Sequence, residues 1–127
     1  LMRSTFGKHE RLSSRTIIQA VVSKGRAVHV PPFKLMGSLM VLPTDASAQV
    51  AFAIPKRYMR LAVMRNRQRR LMREAYRLNK HAVLDRLRTQ GQQCAWLFVY
   101  QGKDPITLAE TQQKITKALD RWMKEHG

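Results

Sequence analysis

The apolar positions of this chain change period several times, and each change marks an element. Ile17, Ile18, Val21 and Val22 recur at helical spacing. Ser13 or Ser14 is placed to cap that helix and Gly25 to stop it, so the pattern predicts a helix running to about Lys24. Ala27–Val30 reads as a short strand closed by Pro31 and Pro32. Phe33–Leu42 is apolar with few breakers and predicts a longer strand, in which Gly37 marks either a bulge or a close backbone approach. Pro43 to Ala48 is turn-like. Gln49–Ile54 alternates, with Val50, Phe52 and Ile54 on one face and Ala51 and Ala53 on the other, and Pro55 ends that strand. A helical period resumes from about Arg60. His81–Thr89 either continues this helix or forms a second short one, and Gly91 closes the unit. Cys94–Tyr100 is a strand, because Trp, Phe, Val and Tyr suit a pleated buried surface. After a turn at Gly102–Pro105, Thr107 and Glu110 form a capping box at the head of a last helix. Leu108, Ile115, Leu119 and Trp122 line its apolar face. The order is helix, three strands, helix, strand, helix, in one domain over residues 1–127. The first ten residues are polar and basic, and an extended segment is expected there.

Charge changes this picture most at residues 65–80. Seven cations (Arg65, Arg67, Arg69, Arg70, Arg73, Arg77 and Lys80) stand there with one acid, Glu74. On a wheel of 100° per residue, all of these cations but Arg67 fall within about 140°. Leu71, Met72, Ala75 and Leu78 gather opposite and are expected to face the core. Arg65/Arg69, Arg69/Arg73 and Arg73/Arg77 are like charges at i,i+4, each destabilising by about 0.2–0.5 kcal/mol. A polyanion laid on the ridge removes that repulsion and gains affinity through counterion release. A solvated helical face normally mixes signs, and this one does not. Asn66 either bridges phosphate and backbone or caps the helix. Lys56 and Arg57 follow a strand end and are expected near the head of the basic helix. Arg11, Arg15 and Lys24 extend the basic surface, and Phe33, Tyr58 and Tyr100 are candidates for base stacking or for the core.

The whole chain agrees. Lys plus Arg is 24 and Asp plus Glu is 8, a formal charge of +16 in 127 residues. A hydrophobic content of 44% supports a real core, not a disordered basic tail. Such an excess favours nucleic acid, and less so an anionic membrane surface. The longest apolar runs, such as Ala95–Tyr100, are too short to span a bilayer, so no membrane location is expected. The first residues lack the apolar segment and small-residue cleavage site of a signal peptide, so none is expected. A lone cysteine, Cys94, in an apolar run is expected to be an inert core thiol. A reducing cytoplasm fits these features. Protein-based catalysis finds little support. The eight acids are scattered, and His9, His29, His81 and His126 lack metal-ligand spacing, so no catalytic residue and no metal site are expected.

The run from Lys56-Arg57 through Arg65-Asn66-Arg67-Gln68-Arg69-Arg70 to Arg73-Glu74 and Arg77 closely resembles the signature of the bacterial ribonuclease P protein component. That signature is a basic pair after a strand, followed by RNRxKRxxRExxR on a helix. Phe6 to Leu12 resembles the family's N-terminal F-x(3–4)-R-L, and Gly25-Arg26 before the first strand also fits. The resemblance covers roughly residues 6–123. It implies an α/β (α+β) two-layer sandwich, ordered α-β-β-β-α-β-α, with a central sheet of about four strands. It also implies a left-handed βαβ crossover, like that of a ribosomal protein domain. It implies a protein subunit that is not itself the catalyst. The partner RNA removes the 5′ leader of precursor tRNA with magnesium, and the protein alone binds no cofactor. A monomeric protein in a 1:1 ribonucleoprotein is implied. By this resemblance Arg65, Asn66, Arg67, Arg69, Arg70, Arg73 and Arg77 face the catalytic RNA, with Arg11, Lys56 and Arg57 part of the same interface. Ile18, Val22 and Phe33 would line a leader cleft between the sheet and the first helix. Ile18 and Val22 stand where relatives commonly carry phenylalanine, and aliphatic side chains line a groove but stack poorly. Gln68 replaces a frequent aliphatic residue, and Pro55 a small one. Two other classes remain: a structural RNA-binding protein of ribosomal type without a role in tRNA processing, and a basic amphipathic helix serving a protein or membrane partner.

Overall fold

A computed structural model describes residues 5–127. The expected extended segment falls partly on residues 1–4, which lie outside the described residues. Within its remainder Gly7 is extended and Lys8–Glu10 form a 3-10 turn, and Arg11, just beyond the segment, bridges in parallel to Val50. The elements that follow are α1 (Arg15–Lys24), β1 (Arg26–Val30), β2 (Phe33–Leu39), β3 (Ala48–Ala53), α2 (Ala62–Asn79), α3 (His81–Thr89), β4 (Cys94–Tyr100) and α4 (Leu108–His126).

The sheet order is β1-β2-β4-β3. β2 is antiparallel to both of its neighbours, β1 and β4, and β3 runs parallel to β4. A parallel neighbour requires a crossover connection, and α2 with α3 supplies it. β4 is therefore flanked on both sides and covered on both faces, which is why its sequence is a continuous apolar run. One face of the sheet carries Val28, Val30, Phe33, Leu35, Val50, Trp96, Phe98 and Tyr100, packed with residues of α2, α3 and α4 into the main core. The other face carries Met36, Ala51, Ala53, Ala95, Leu97 and Val99, packed with Ile17, Ile18 and Val21 of α1 into a smaller cluster.

Several boundaries differ from expectation for identifiable reasons. β2 stops at Leu39, short of Leu42. Beyond it Met40 N–H donates to the Gln93 carbonyl at 3.0 Å and Leu42 N–H to Gln93 Oε1 at 2.9 Å, so loop contacts replace the ladder. Gly37 is a close approach and not a bulge, since its pairing with Arg26 and Trp96 is in register. A Cβ there would sit 2.4 Å from Trp96 Cδ1 and 2.8 Å from Trp122 Cε2. α2 begins at Ala62, after a turn in which the Pro55 carbonyl accepts from Tyr58 and Met59 N–H. His81–Thr89 is a separate helix. Ser14 caps α1 by accepting from Ile17 N–H. Thr107 Oγ1 accepts from Glu110 N–H at 3.1 Å and donates to Glu110 Oε1 at 3.0 Å, so half the expected capping box closes side chain to side chain.

Candidate nucleic-acid interface

The site is the outer face of α2, and its rotation about the helix axis decides which cations it offers. The buried positions are Gln68, Met72, Ala75 and Tyr76. Leu71 is half-buried and Leu78 is 42% exposed, so the expected apolar stripe is turned toward the Gln68–Tyr76 side. Long-range contacts impose this turn. Tyr76 packs edge-on against Phe6 and Phe52, with ring centroids 5.6 and 6.1 Å away. Gln68, fully buried, accepts from Ile106 N–H at 3.0 Å and donates to Thr111 Oγ1 at 3.5 Å.

The cations move with the helix. Arg67, outside the expected ridge, is exposed together with Arg70 and Arg73. These three make no hydrogen bond or ion pair to the described residues. Arg65 turns toward the protein, where its Nη1 donates to the carbonyls of Met59 at 3.0 Å and Arg60 at 2.8 Å and ties down the first turn. Asn66 sits inside the helix and does not cap it; its Oδ1 accepts from Arg69 at 3.1 Å. Arg77 forks onto Glu74 at 2.5 and 3.0 Å. That hydrogen bond holds the Glu74 carboxyl below its usual value and raises the Arg77 guanidinium above its own. Lys80 leaves the ridge altogether. It is buried, donating to the Thr5 carbonyl and, at 2.5 Å, to Glu10 Oε1.

Lys56 and Arg57 are exposed in the turn between β3 and α2, as the spacing predicts. Arg57 lies over the Tyr58 ring at 4.9 Å, which occupies one of the expected stacking platforms. Arg11 is exposed and bridges to Val50 of β3, with its guanidinium 5.8 Å from the Phe6 ring. On the α1 face Ile18 is half-buried and Val22 is 56% exposed. Phe33 is not on that face. It is 1% exposed and packs edge-on against Phe98 and Tyr100 in the main core. Strand parity is the reason: Phe33 shares a face with Leu35, whereas Lys34 and Met36 point to the α1 side. Lys34 is the half-buried cation on the α1 face that the sequence reading missed, and counting by twos from Leu35 identifies it.

Cys94 is buried, and burial pushes its thiol well above the ordinary range. Among the described residues no group of three His, Cys, Asp or Glu side chains is placed to hold a metal ion. No helix among them is long and apolar enough to cross a membrane.

The family model described as Ribonuclease P matches residues 6–126. The ribonuclease P protein component of Porphyromonas gingivalis is 42% identical over 84 residues, covering 65% of this chain. The matched part spans 61% of that relative's length. The Chlorobium phaeobacteroides protein of the same name is 38% identical over 76 residues, 58% of this chain and 52% of its own. The fold matches the ribonuclease P protein of Staphylococcus aureus with a TM-score of 0.70 at 18% identity, covering 90% of this chain and 95% of that one. The Thermotoga maritima protein matches with a TM-score of 0.65 at 16% identity, covering 88% and 96%. A family match across nearly the whole chain, on a fold that carries the arginine-rich crossover helix, establishes that this chain belongs to the ribonuclease P protein family.

Proposed function

We propose that this chain is the protein subunit of ribonuclease P, acting in the cytoplasm as one protein bound to one catalytic RNA. The observation that carries the reading is the row of Arg67, Arg70 and Arg73, exposed on α2 without partners among the described residues. A compact domain bearing +16 gains from neutralising such a row with phosphate. Arg65 and Arg69 shape the row, Arg65 by anchoring the helix start and Arg69 through Asn66. Lys56 and Arg57 prolong it at the head of α2.

The work of the protein in this reading is electrostatic and positional. Its guanidinium groups screen the repulsion between a catalytic RNA and a precursor tRNA, and magnesium held by the RNA supplies the hydrolytic chemistry. The 5′ leader runs along the α1 face of the sheet, past Ile18, Val22 and Lys34, where the first helix leaves part of the sheet accessible. Aliphatic side chains there favour contact along the backbone over stacking on bases.

The test mixes this chain with a ribonuclease P RNA and a precursor tRNA and follows 5′ leader release at low and high magnesium. The subunit role requires cleavage to be stimulated at low magnesium, with less benefit at high magnesium. Tight RNA binding without any stimulation would favour the structural RNA-binding reading. Cleavage by the protein with no RNA added would contradict RNA-based catalysis.

A further inference from the structure

A cavity of about 450 Å³ opens between the first turns of α2 and the connection from β4 to α4. That volume is in the range of about 300–1,000 Å³ typical of small-ligand sites. Val63 and Met64 line it from α2, and Pro105 and Ile106 line it from the connection. Arg67 and Arg70 border the same space, and Glu110 completes it.

Polar contacts shape the two walls of this cavity. Gln68 grips the Ile106 N–H at 3.0 Å, which pins the connection against α2. Thr107 positions Glu110 through its backbone N–H and its carboxylate, at 3.1 and 3.0 Å. Two further features call for an occupant. Val63 leaves 71% of its surface in solvent at the cavity. Glu110 stands beside two arginines, yet forms no ion pair with either among the described residues. A carboxylate on a phosphate-facing surface repels the partner unless it accepts a hydrogen bond from it.

We propose that this cavity receives one unstacked guanine nucleotide of the RNA partner. The base lies between the α2 wall and the Pro105–Ile106 wall, its N1–H and N2–H donate to the Glu110 carboxylate, and its phosphate meets Arg67 and Arg70. The chemistry selects guanine. Its Watson–Crick edge is the one that offers two adjacent donors to match two carboxylate oxygens. Uracil offers a single N–H flanked by acceptors, and adenine and cytosine each offer one amino group beside an acceptor. Unstacked bases of this kind are the usual targets of sequence-specific RNA recognition. The inference deepens the RNA-subunit role and rests on it.

The isolated full chain, labelled with ¹⁵N, is titrated at low salt with 5′-GMP, 5′-UMP and inorganic phosphate. The expected result is that 5′-GMP shifts the amides of Met64, Ile106 and Glu110 and binds about tenfold more tightly than 5′-UMP, the usual scale of discrimination by a two-donor pair. Glu110→Gln should bring 5′-GMP down to the level of 5′-UMP while the response to phosphate persists. Glutamine keeps the capping position serviceable, and the spectrum of the variant checks its fold. Val63→Asp, at an exposed position, should weaken both nucleotides, and it decides the matter if Glu110→Gln does not fold. Equal affinity for the two nucleotides, a preference unchanged in Glu110→Gln, or shifts reproduced in full by phosphate would each overturn the pocket. Association of the wild-type chain with ribonuclease P RNA is measured in parallel. Its absence refutes the subunit role, whereas its presence without guanine preference refutes the pocket alone.

Discussion

Replacing Arg67, Arg70 and Arg73 together by glutamine should move RNA affinity and protein stability in opposite directions. The structure sets both magnitudes. Lys56, Arg57, Arg67, Arg70 and Arg73 are exposed side chains at or beside the α2 face, with no ion pair among the described residues. If each meets one phosphate, the slope of log K against log salt is about −4.5, and raising salt from about 50 to 200 mM costs about 500-fold in affinity. With three of the five removed the slope falls to about −1.8, and the same change of salt costs only about tenfold. Stability responds otherwise. The substitutions relieve the Arg69/Arg73 and Arg73/Arg77 repulsions at i,i+4 and the Arg67/Arg70 and Arg70/Arg73 repulsions at i,i+3. At about 0.2–0.5 kcal/mol each, the relief is about 1 kcal/mol. For a domain of this size that raises the melting temperature by about 3–5 °C. Binding is measured by filter retention of ribonuclease P RNA over a salt series, and unfolding by circular dichroism. An unchanged salt slope, or a melting temperature that falls together with affinity, would refute the assignment of these arginines to phosphate.

Arg65→Ala should act the other way round, losing two hydrogen bonds to the Met59 and Arg60 carbonyls and about 1–3 kcal/mol of stability while leaving the salt slope of RNA binding in place; a reduced slope at full stability would place Arg65 on the RNA instead. Gly37→Ala forces a methyl into contact with Trp96 and Trp122 and should cost about 1–3 kcal/mol in urea denaturation, so wild-type stability would show that the two indoles have room to yield. Burial raises both the Cys94 thiol and the Tyr76 hydroxyl, whose ordinary values are 9.0 and 10.0, so the unfolded chain loses these protons first. Stability is then complete below about pH 9 and declines as pH rises, by up to about 1.4 kcal/mol per pH unit for each group. Urea midpoints from pH 7 to 10 should show a shallower decline in Cys94→Ala than in the wild type, and identical pH profiles would contradict a buried neutral thiol.

What the amino-acid pattern reveals and what it hides follow from the range of the interactions involved. β4 is legible to its end residues because a central strand is apolar on both faces and is bounded by turn formers. α1 is legible because Ser14 and Gly25 act locally on its ends. The rotation of α2 is not legible. Apolar residues occur on more than one side of its wheel, and the choice among them is made by Phe6, Phe52 and Ile106, which lie tens of residues away. Lys80 reads as one more surface cation until the chain folds Glu10 back against it across seventy positions. The arginine-rich run points to a polyanion from composition alone, and to RNA through the family resemblance, yet which arginines meet solvent depends on that same rotation. Phe33 is a different case, because its face follows from period-two counting within β2, and it is the family resemblance that puts it in the leader cleft.

The strand order has a consequence for how the molecule comes into being. β4 is the last of the four strands to be synthesised, yet it lies between β2 and β3. Until residue 100 emerges, β3 has no strand beside it and the sheet has no middle. The cationic helix is therefore made before the platform it will rest on exists. A nascent chain at that stage is a hairpin trailing a charged arm, released into the neighbourhood of ribosomal RNA. Insertion of the central strand is the late event that converts the arm from a free polycation into a mounted one.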